Sequence, residues 1–271
     1  MKVAVVQGAV PLATTDFGGD GPDLVLMHGL GMKRGSLDKV AQRLTGWRVI
    51  TMDLRGHGAS GSGPWTWAAA VDDLGAVVQH YGLETPYVGG HSLGGMVGLQ
   101  YAIDGADVAG VVNIDGWGPG VAERFPGEDP VLVQEQLDRF GAQLPTLARV
   151  LTGWTRVARE GTNGQVLSLL HGADIVAWHR ACPRPSLAFN AVAPARGLIG
   201  RLLGKDMARM QVAHRVGLQR DLARAAAESP LVSVAEIQAT HGLIFSHPDE
   251  VARAIDVFPA CATPETRSGD A

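Results

Sequence analysis

Residues 86–100 read PYVGGHSLGGMVGLQ. The run PYVG reads as a strand, and LGGMVGLQYAI from Leu93 onward reads as a helix. Between them stands Gly90-His91-Ser92-Leu93-Gly94, a G-x-S-x-G pattern at a strand-to-helix turn. Such a turn strains the serine backbone, and the close approach of strand and helix leaves room only for small residues two places to either side. Gly90 and Gly94 supply them, the hydroxyl of Ser92 is lifted clear of the chain, and the Leu93 N–H at the helix start can face a developing oxyanion. A bare pentapeptide of this kind is also compatible with a glycine-rich turn holding an incidental serine; the strand before it and the helix after it favour a nucleophile.

Working outward, short runs rich in Val, Leu and Ile alternate with longer amphipathic stretches, the rhythm of a mostly parallel, doubly wound α/β sheet covered by helices on both faces. The expected strands are VAVVQGAV, PDLVLMHG, WRVITMDL, TPYVGGHS, VAGVVNID, PSLAFNAV and SVAEIQAT. Each ends beside Gly, Asp, Ser, His or Asn, and in open α/β sheets functional groups collect at the carboxyl ends of strands. From Gly118 to Arg180 the rhythm stops, and helices such as DPVLVQEQLDRFGAQL and LPTLARVLTGWTRVAR take over. The expectation is a core of residues 1–117 and 181–271 with a helical cap inserted over 118–180. A further helical stretch is expected over roughly 198–228, LIFSHPDEVARAIDVF reads as one amphipathic helix, and the polar tail from Ala260 reads as frayed.

The 271 residues are 46% hydrophobic and 18% charged, which suits a globular chain with a large core. A formal net charge of -4, with no run of Lys or Arg, lacks the footprint of a nucleic-acid or anionic-membrane partner and leaves a small molecule as the expected one. Only Cys182 and Cys261 occur, so neither a disulfide framework nor a cysteine metal cluster is expected. The opening MKVAVVQGAV is too short and interrupted for a signal peptide or membrane span and reads as the first strand of a cytoplasmic protein. No metal-ligand spacing or cofactor motif appears, so neither is expected.

At the end of LVLMHGLG stand His28-Gly29-Leu30-Gly31, where the Leu30 N–H is placed to complete an oxyanion hole and His28 reads as a structural hydrogen-bonding residue. The loop Asp53-Leu54-Arg55-Gly56-His57-Gly58-Ala59-Ser60 after WRVITM reads as structural. HGLG, DLRGHGAS and GHSLGG together resemble the α/β-hydrolase superfamily in order and spacing, from about Asp23 to about Phe258 with the cap excepted. The resemblance implies a Ser-acid-His triad, an oxyanion hole from Leu30 and Leu93, and a cap that shapes the substrate pocket.

It also implies a general base on the loop after the last strand, where SVAEIQAT runs into His241-Gly242. His241 is therefore the expected base, against His247, whose place beside Pro248 suggests a capping or surface role. The acid departs from the commoner family pattern: from Ile175 through Lys205 there is no Asp or Glu, and Asn190 and Pro194 occupy the loop where a carboxylate is usual. Some members, including pancreatic-type lipases and certain dehalogenases, carry the acid one strand earlier, and here that strand, VAGVVNID, ends in Asp115. Asp115 is the expected partner of His241 Nδ1; the alternatives are a loop-capping role for Asp115, with a dyad or a distant carboxylate such as Asp206 in its place.

Trp117 follows Asp115 and Met96 follows the elbow, so both are expected at the substrate and a hydrophobic acyl or alkyl group is favoured. Phe125, Phe140, Trp154 and Trp178 are cap aromatics as compatible with core as with a pocket. The chemistry expected is hydrolysis of a carboxylic ester, lactone or thioester through an acyl-enzyme on Ser92. A cyclase or acyltransferase, separable by product analysis, and a ligand-binding receptor on the same scaffold, separable by stabilisation without turnover, remain the alternatives. A dinucleotide enzyme, suggested by Gly29-Leu30-Gly31 and Asp53, leaves Ser92 unexplained and lacks the Tyr and Lys four residues apart of a short-chain dehydrogenase. Oligomeric state is not written in the sequence.

Overall fold

The computed structural model describes residues 1–118, 121–138, 162–170, 173–193 and 204–262. Eight strands form one sheet: β1 Lys2–Gln7, β2 Pro11–Asp16, β3 Asp23–Met27, β4 Arg48–Met52, β5 Tyr87–His91, β6 Gly110–Ile114, β7 Ser186–Ala191 and β8 Val232–Ile237. Their spatial order is β1-β2-β4-β3-β5-β6-β7-β8. β1 and β2 form an antiparallel hairpin that joins the edge of β4 antiparallel, and from β4 to β8 every neighbouring pair is parallel.

The parallel strands from β4 to β7 are buried on both faces, which is why they read as near-continuous apolar runs, while β8 at the edge is only partly buried. Period-two alternation still sorts them: Val25, Met27, Ile50, Met52 and Val88 join one core, and Leu24, Leu26, Val49 and Tyr87 join the other. The first core is closed by helices α2 (Trp67–His80) and α3 (Leu93–Ile103), the second by α1 (Asp38–Ala41), α8 (Leu243–Ser246) and α9 (Pro248–Ala262). In the expected cap, α4 covers 130–138, α5 is Thr162–Leu170 and α6 is Ile175–Ala181; α7 is Gly204–Glu228. α6 and α7 lie over β7 and β8 through Val176, Leu218, Leu222 and Ala225 against Ala188 and Val232.

The order of the chain reverses at β3. From β3 it passes to β4 on one side, then returns to β5 on the other, so the carboxyl ends of β3 and β5 flank the switch point at which open α/β sheets bind ligands. Those ends carry His28-Gly29-Leu30 and Ser92.

Two expectations of local structure need correction. VAVVQGAV is not one strand: β1 stops at Gln7, and PLATTD returns as β2. Pro11 is tolerated because it takes the first place of its strand. The last helix is two: His247 leaves helical geometry at φ -133° and Pro248 opens α9, a position that needs no amide hydrogen. The expected helix LPTLARVLTGWTRVAR and most of the tail lie outside the described residues. No helix among the described residues is long and apolar enough to cross a membrane.

Candidate active site

Ser92 joins β5 to α3 with φ 52° and ψ -118°, a region L-residues avoid unless surroundings enforce it. The enforcement is visible in contacts. A Cβ on Gly90 or Gly94 would run into the Met27 carbonyl of β3, and one on Gly98 would stand 2.8 Å from Gly89 Cα. The Ser92 N–H donates to the Ile114 carbonyl at 2.9 Å, and the Ser92 carbonyl accepts from the Gly95 N–H at 3.0 Å. Leu93 opens α3, so its N–H is one of the first-turn donors without an intrahelical acceptor.

Asp115 follows β6 in the left-handed region, φ 54°, and its carboxylate is used at both oxygens. Oδ1 accepts the Ala191 N–H at 2.9 Å from the end of β7, and Oδ2 accepts from His241 Nδ1 at 2.7 Å. The side chain of Asp115 is 8% exposed and that of His241 54%, so the pair is buried at its acid and open at its base. A carboxylate cannot donate, so Nδ1 carries a proton and Nε2 is the ring nitrogen that faces away from the acid. Among the described residues no hydrogen bond joins Nε2 to Ser92 Oγ. His241 is nevertheless held beside the elbow: its carbonyl accepts from His91 Nε2 at 2.8 Å, and the two rings lie 4.6 Å apart.

A clamp that sequence reading did not single out holds the Asp115 turn. Asn113 Oδ1 accepts the Gly116 N–H at 2.9 Å, and its Nδ2 donates to the Gly116 carbonyl at 3.1 Å and to His179 Nε2 at 3.0 Å. His179 Nδ1 in turn meets Ser186 Oγ at 2.9 Å. Asn113, alone and polar within the apolar run GVVNI, is the signal that was there to be read.

The Gly29–Met32 turn is held by two imidazoles. Both nitrogens of His28 are engaged, Nδ1 donating to the Gly29 carbonyl at 2.8 Å and Nε2 accepting the Leu54 N–H at 3.1 Å. His57 Nε2 accepts the Gly31 N–H at 3.3 Å. The Leu30 N–H makes no hydrogen bond among the described residues. A Cβ on Gly29 would stand 2.8 Å from His91 Nδ1 and 3.1 Å from Ser92 Cβ, so this turn lies directly against the elbow. Asp53 is occupied, bonded to the Arg34 guanidinium and to the Arg34 and Ala59 amides, which leaves it no capacity to read a ribose.

Trp117 bonds through Nε1 to the Phe189 carbonyl at 3.1 Å and lies 5.6 Å from the His179 ring, pinning the chain that leaves Asp115 to β7. Met96 is 1% exposed and packs within the α2–α3 core. Trp178 packs edge-on against Trp67, and Phe125 is buried beside Val133 and Met210. His247 meets Ser246 Oγ at 2.8 Å, half-buried at the turn before α9. Phe140, Trp154 and Pro194 lie outside the described residues, as does the side chain of Asp206.

Residues 24–254 match the family model described as "Alpha/beta hydrolase family". The chain is 36% identical over 137 residues to the magnesium-chelatase 30 kDa subunit of Rhodobacter capsulatus, covering 49% of this chain and 46% of that one. It is 42% identical over 85 residues to the pimeloyl-[acyl-carrier protein] methyl ester esterase of Chromobacterium violaceum, 31% of this chain and 32% of that one. The matched stretches thus span less than half the length of these curated relatives. Among solved structures, a putative aryl esterase from Burkholderia cenocepacia superposes with a TM-score of 0.64 at 23% identity, over 96% of this chain and 99% of that one, a likeness of fold.

Proposed function

This chain belongs to the alpha/beta hydrolase family, and from that premise we propose that it is a serine hydrolase of carboxylic esters, lactones or thioesters with a hydrophobic acyl or alkyl group. The observation that carries the proposal is the 2.7 Å bond from His241 Nδ1 to Asp115, on loops that converge beside Ser92 at its strained elbow. In this reading Ser92 is the nucleophile, His241 the base, Asp115 the acid, and residues 118–180 a cap over them.

The steps follow from the chemistry of those groups. His241 Nε2 takes the Ser92 Oγ proton as the oxygen attacks the substrate carbonyl. The tetrahedral oxyanion is met by the N–H groups of Leu30 and Leu93, neither of which has a hydrogen-bond acceptor among the described residues. The imidazolium, stabilised by Asp115, returns its proton to the leaving alkoxide or thiolate, and water repeats the sequence to release the acid. The missing Ser92–His241 bond is no obstacle, since such contacts are often long before substrate binds.

The test is kcat/KM on short 4-nitrophenyl esters. Wild type turns over, and Ser92→Ala and His241→Ala lose activity by about three orders of magnitude or more. Asp115→Asn keeps an acceptor for the Ala191 N–H but loses the charge that supports the imidazolium, and it falls steeply as well. Retained activity in Ser92→Ala contradicts the proposal; retained activity in Asp115→Asn alone removes Asp115 from it.

A further inference from the structure

The chain pairs its enclosed arginines. Arg55 forks onto Asp73 with bonds of 2.6 and 2.8 Å, Arg34 bonds to Asp53, and Arg124 reaches Asp174 at 2.6 Å and Asp221 at 3.1 Å. Arg215 breaks the pattern. It is half-buried, burial works against its charge, and among the described residues it has neither a hydrogen bond nor an ion pair, while the field of the Asp115 carboxylate reaches it. A partly desolvated guanidinium without a counterion is costly, and where it faces a cleft the counterion is expected from a ligand.

Position supports the same reading. α7 leads into the start of β8, so its earlier turns lie toward the carboxyl ends of the strands. Leu218, Leu222 and Ala225 seat it on Val176, Ala188 and Val232, and Gln219 reaches Glu236 of β8 at 2.9 Å. Arg215 falls three residues before Leu218 and seven before Leu222, on the same stripe, one turn nearer those carboxyl ends. Helical side chains lean toward the helix start, which carries Arg215 further toward Asp115 and His241. Beside it the His214 ring packs 5.3 Å from Phe125, and its buried Nε2 has no partner.

We propose that Arg215 is an anion-binding residue of the Ser92 cleft and that the substrate bears a carboxylate on its otherwise apolar body. The proposal rests on the serine-hydrolase reading for what happens to that substrate, and adds what it must carry. A guanidinium fork matches a carboxylate in shape. Its single charge balances one carboxylate, whereas a phosphate monoester carries about -1.5 to -2 and would face Asp115 under-neutralised.

The test compares matched esters with and without a carboxylate: 4-nitrophenyl hydrogen glutarate against 4-nitrophenyl hexanoate, and 3-carboxyphenyl acetate against phenyl acetate. In at least one pair wild type favours the charged member, and Arg215→Gln lowers the charged-to-neutral ratio of kcat/KM roughly ten- to a hundredfold, with Arg215→Lys between the two. Ratios that Arg215→Gln leaves unmoved in both pairs overturn the proposal. If wild type hydrolyses none of the four esters, the hydrolase reading fails, and calorimetric titration of wild type with glutarate judges the anion site alone. Binding lost in Arg215→Gln upholds it, and absence of binding to wild type overturns it.

Discussion

His28, His91 and His179 are each enclosed by protein, and each meets a neighbour whose chemistry dictates where its one ring proton sits. His28 accepts an amide hydrogen at Nε2, His179 accepts one from Asn113 at Nε2, and His91 donates from Nε2 to a carbonyl. A second proton would break the first two arrangements and leave a buried charge in all three. Burial accordingly lowers their pKa values to about 3, 4 and 3 in chain order. The folded values lie below that of an unfolded histidine, so the unfolded chain binds more protons as pH falls. The stability these residues hold is therefore complete above about pH 6.5 and is lost as pH drops from there toward 4 and 3. Urea unfolding between pH 8 and 4 is expected to show stability falling below pH 6.5, with each histidine adding up to about 1.4 kcal/mol per pH unit to the slope. A flat profile over that range would show that these imidazoles are not held neutral.

Among the elements, α3 answers most directly to its sequence. Its small residues are where the helix crosses β3 and β5, and the substitution that helix propensity recommends is the one that packing forbids. Alanine is ordinarily worth up to about 1 kcal/mol over glycine in a helix. At position 94 its Cβ would meet the Met27 carbonyl, backbone that has no rotamer to give way. Gly94→Ala is expected to destabilise by about 2–3 kcal/mol in urea unfolding, while Gly46→Ala, where the added Cβ meets nothing within 4 Å, stays within about 0.5 kcal/mol of wild type. Equal midpoints for the two variants would mean that α3 does not lie this close to β3. The elements that sequence misplaced were those whose cues are weak. β2 opens on a proline and carries two threonines and an aspartate rather than presenting an apolar run, and the break at His247 is marked by a single proline inside an otherwise continuous amphipathic pattern.

At the scale of the molecule, the parallel sheet and the convergence of four loops at the carboxyl ends of its strands were legible because each motif stands immediately after an apolar run. GHSLG, HGLG, NIDG and the histidine after SVAEIQAT all lie at strand ends. Less legible was what holds those loops in place. Asn113 stood out as a polar residue in an apolar run and His28 as a structural hydrogen-bonding residue, but their partners, such as His179 for Asn113 and Leu54 for His28, lie far along the chain, where no local pattern records them. The most direct test of the central claim is to treat the protein with a 4-nitrophenyl ester, quench early, and locate the acyl group by intact mass and peptide mapping. The account predicts one acyl group per chain, on the peptide containing Ser92, and none on Ser92→Ala. An acyl group on another residue, or an undiminished burst from Ser92→Ala, would contradict it.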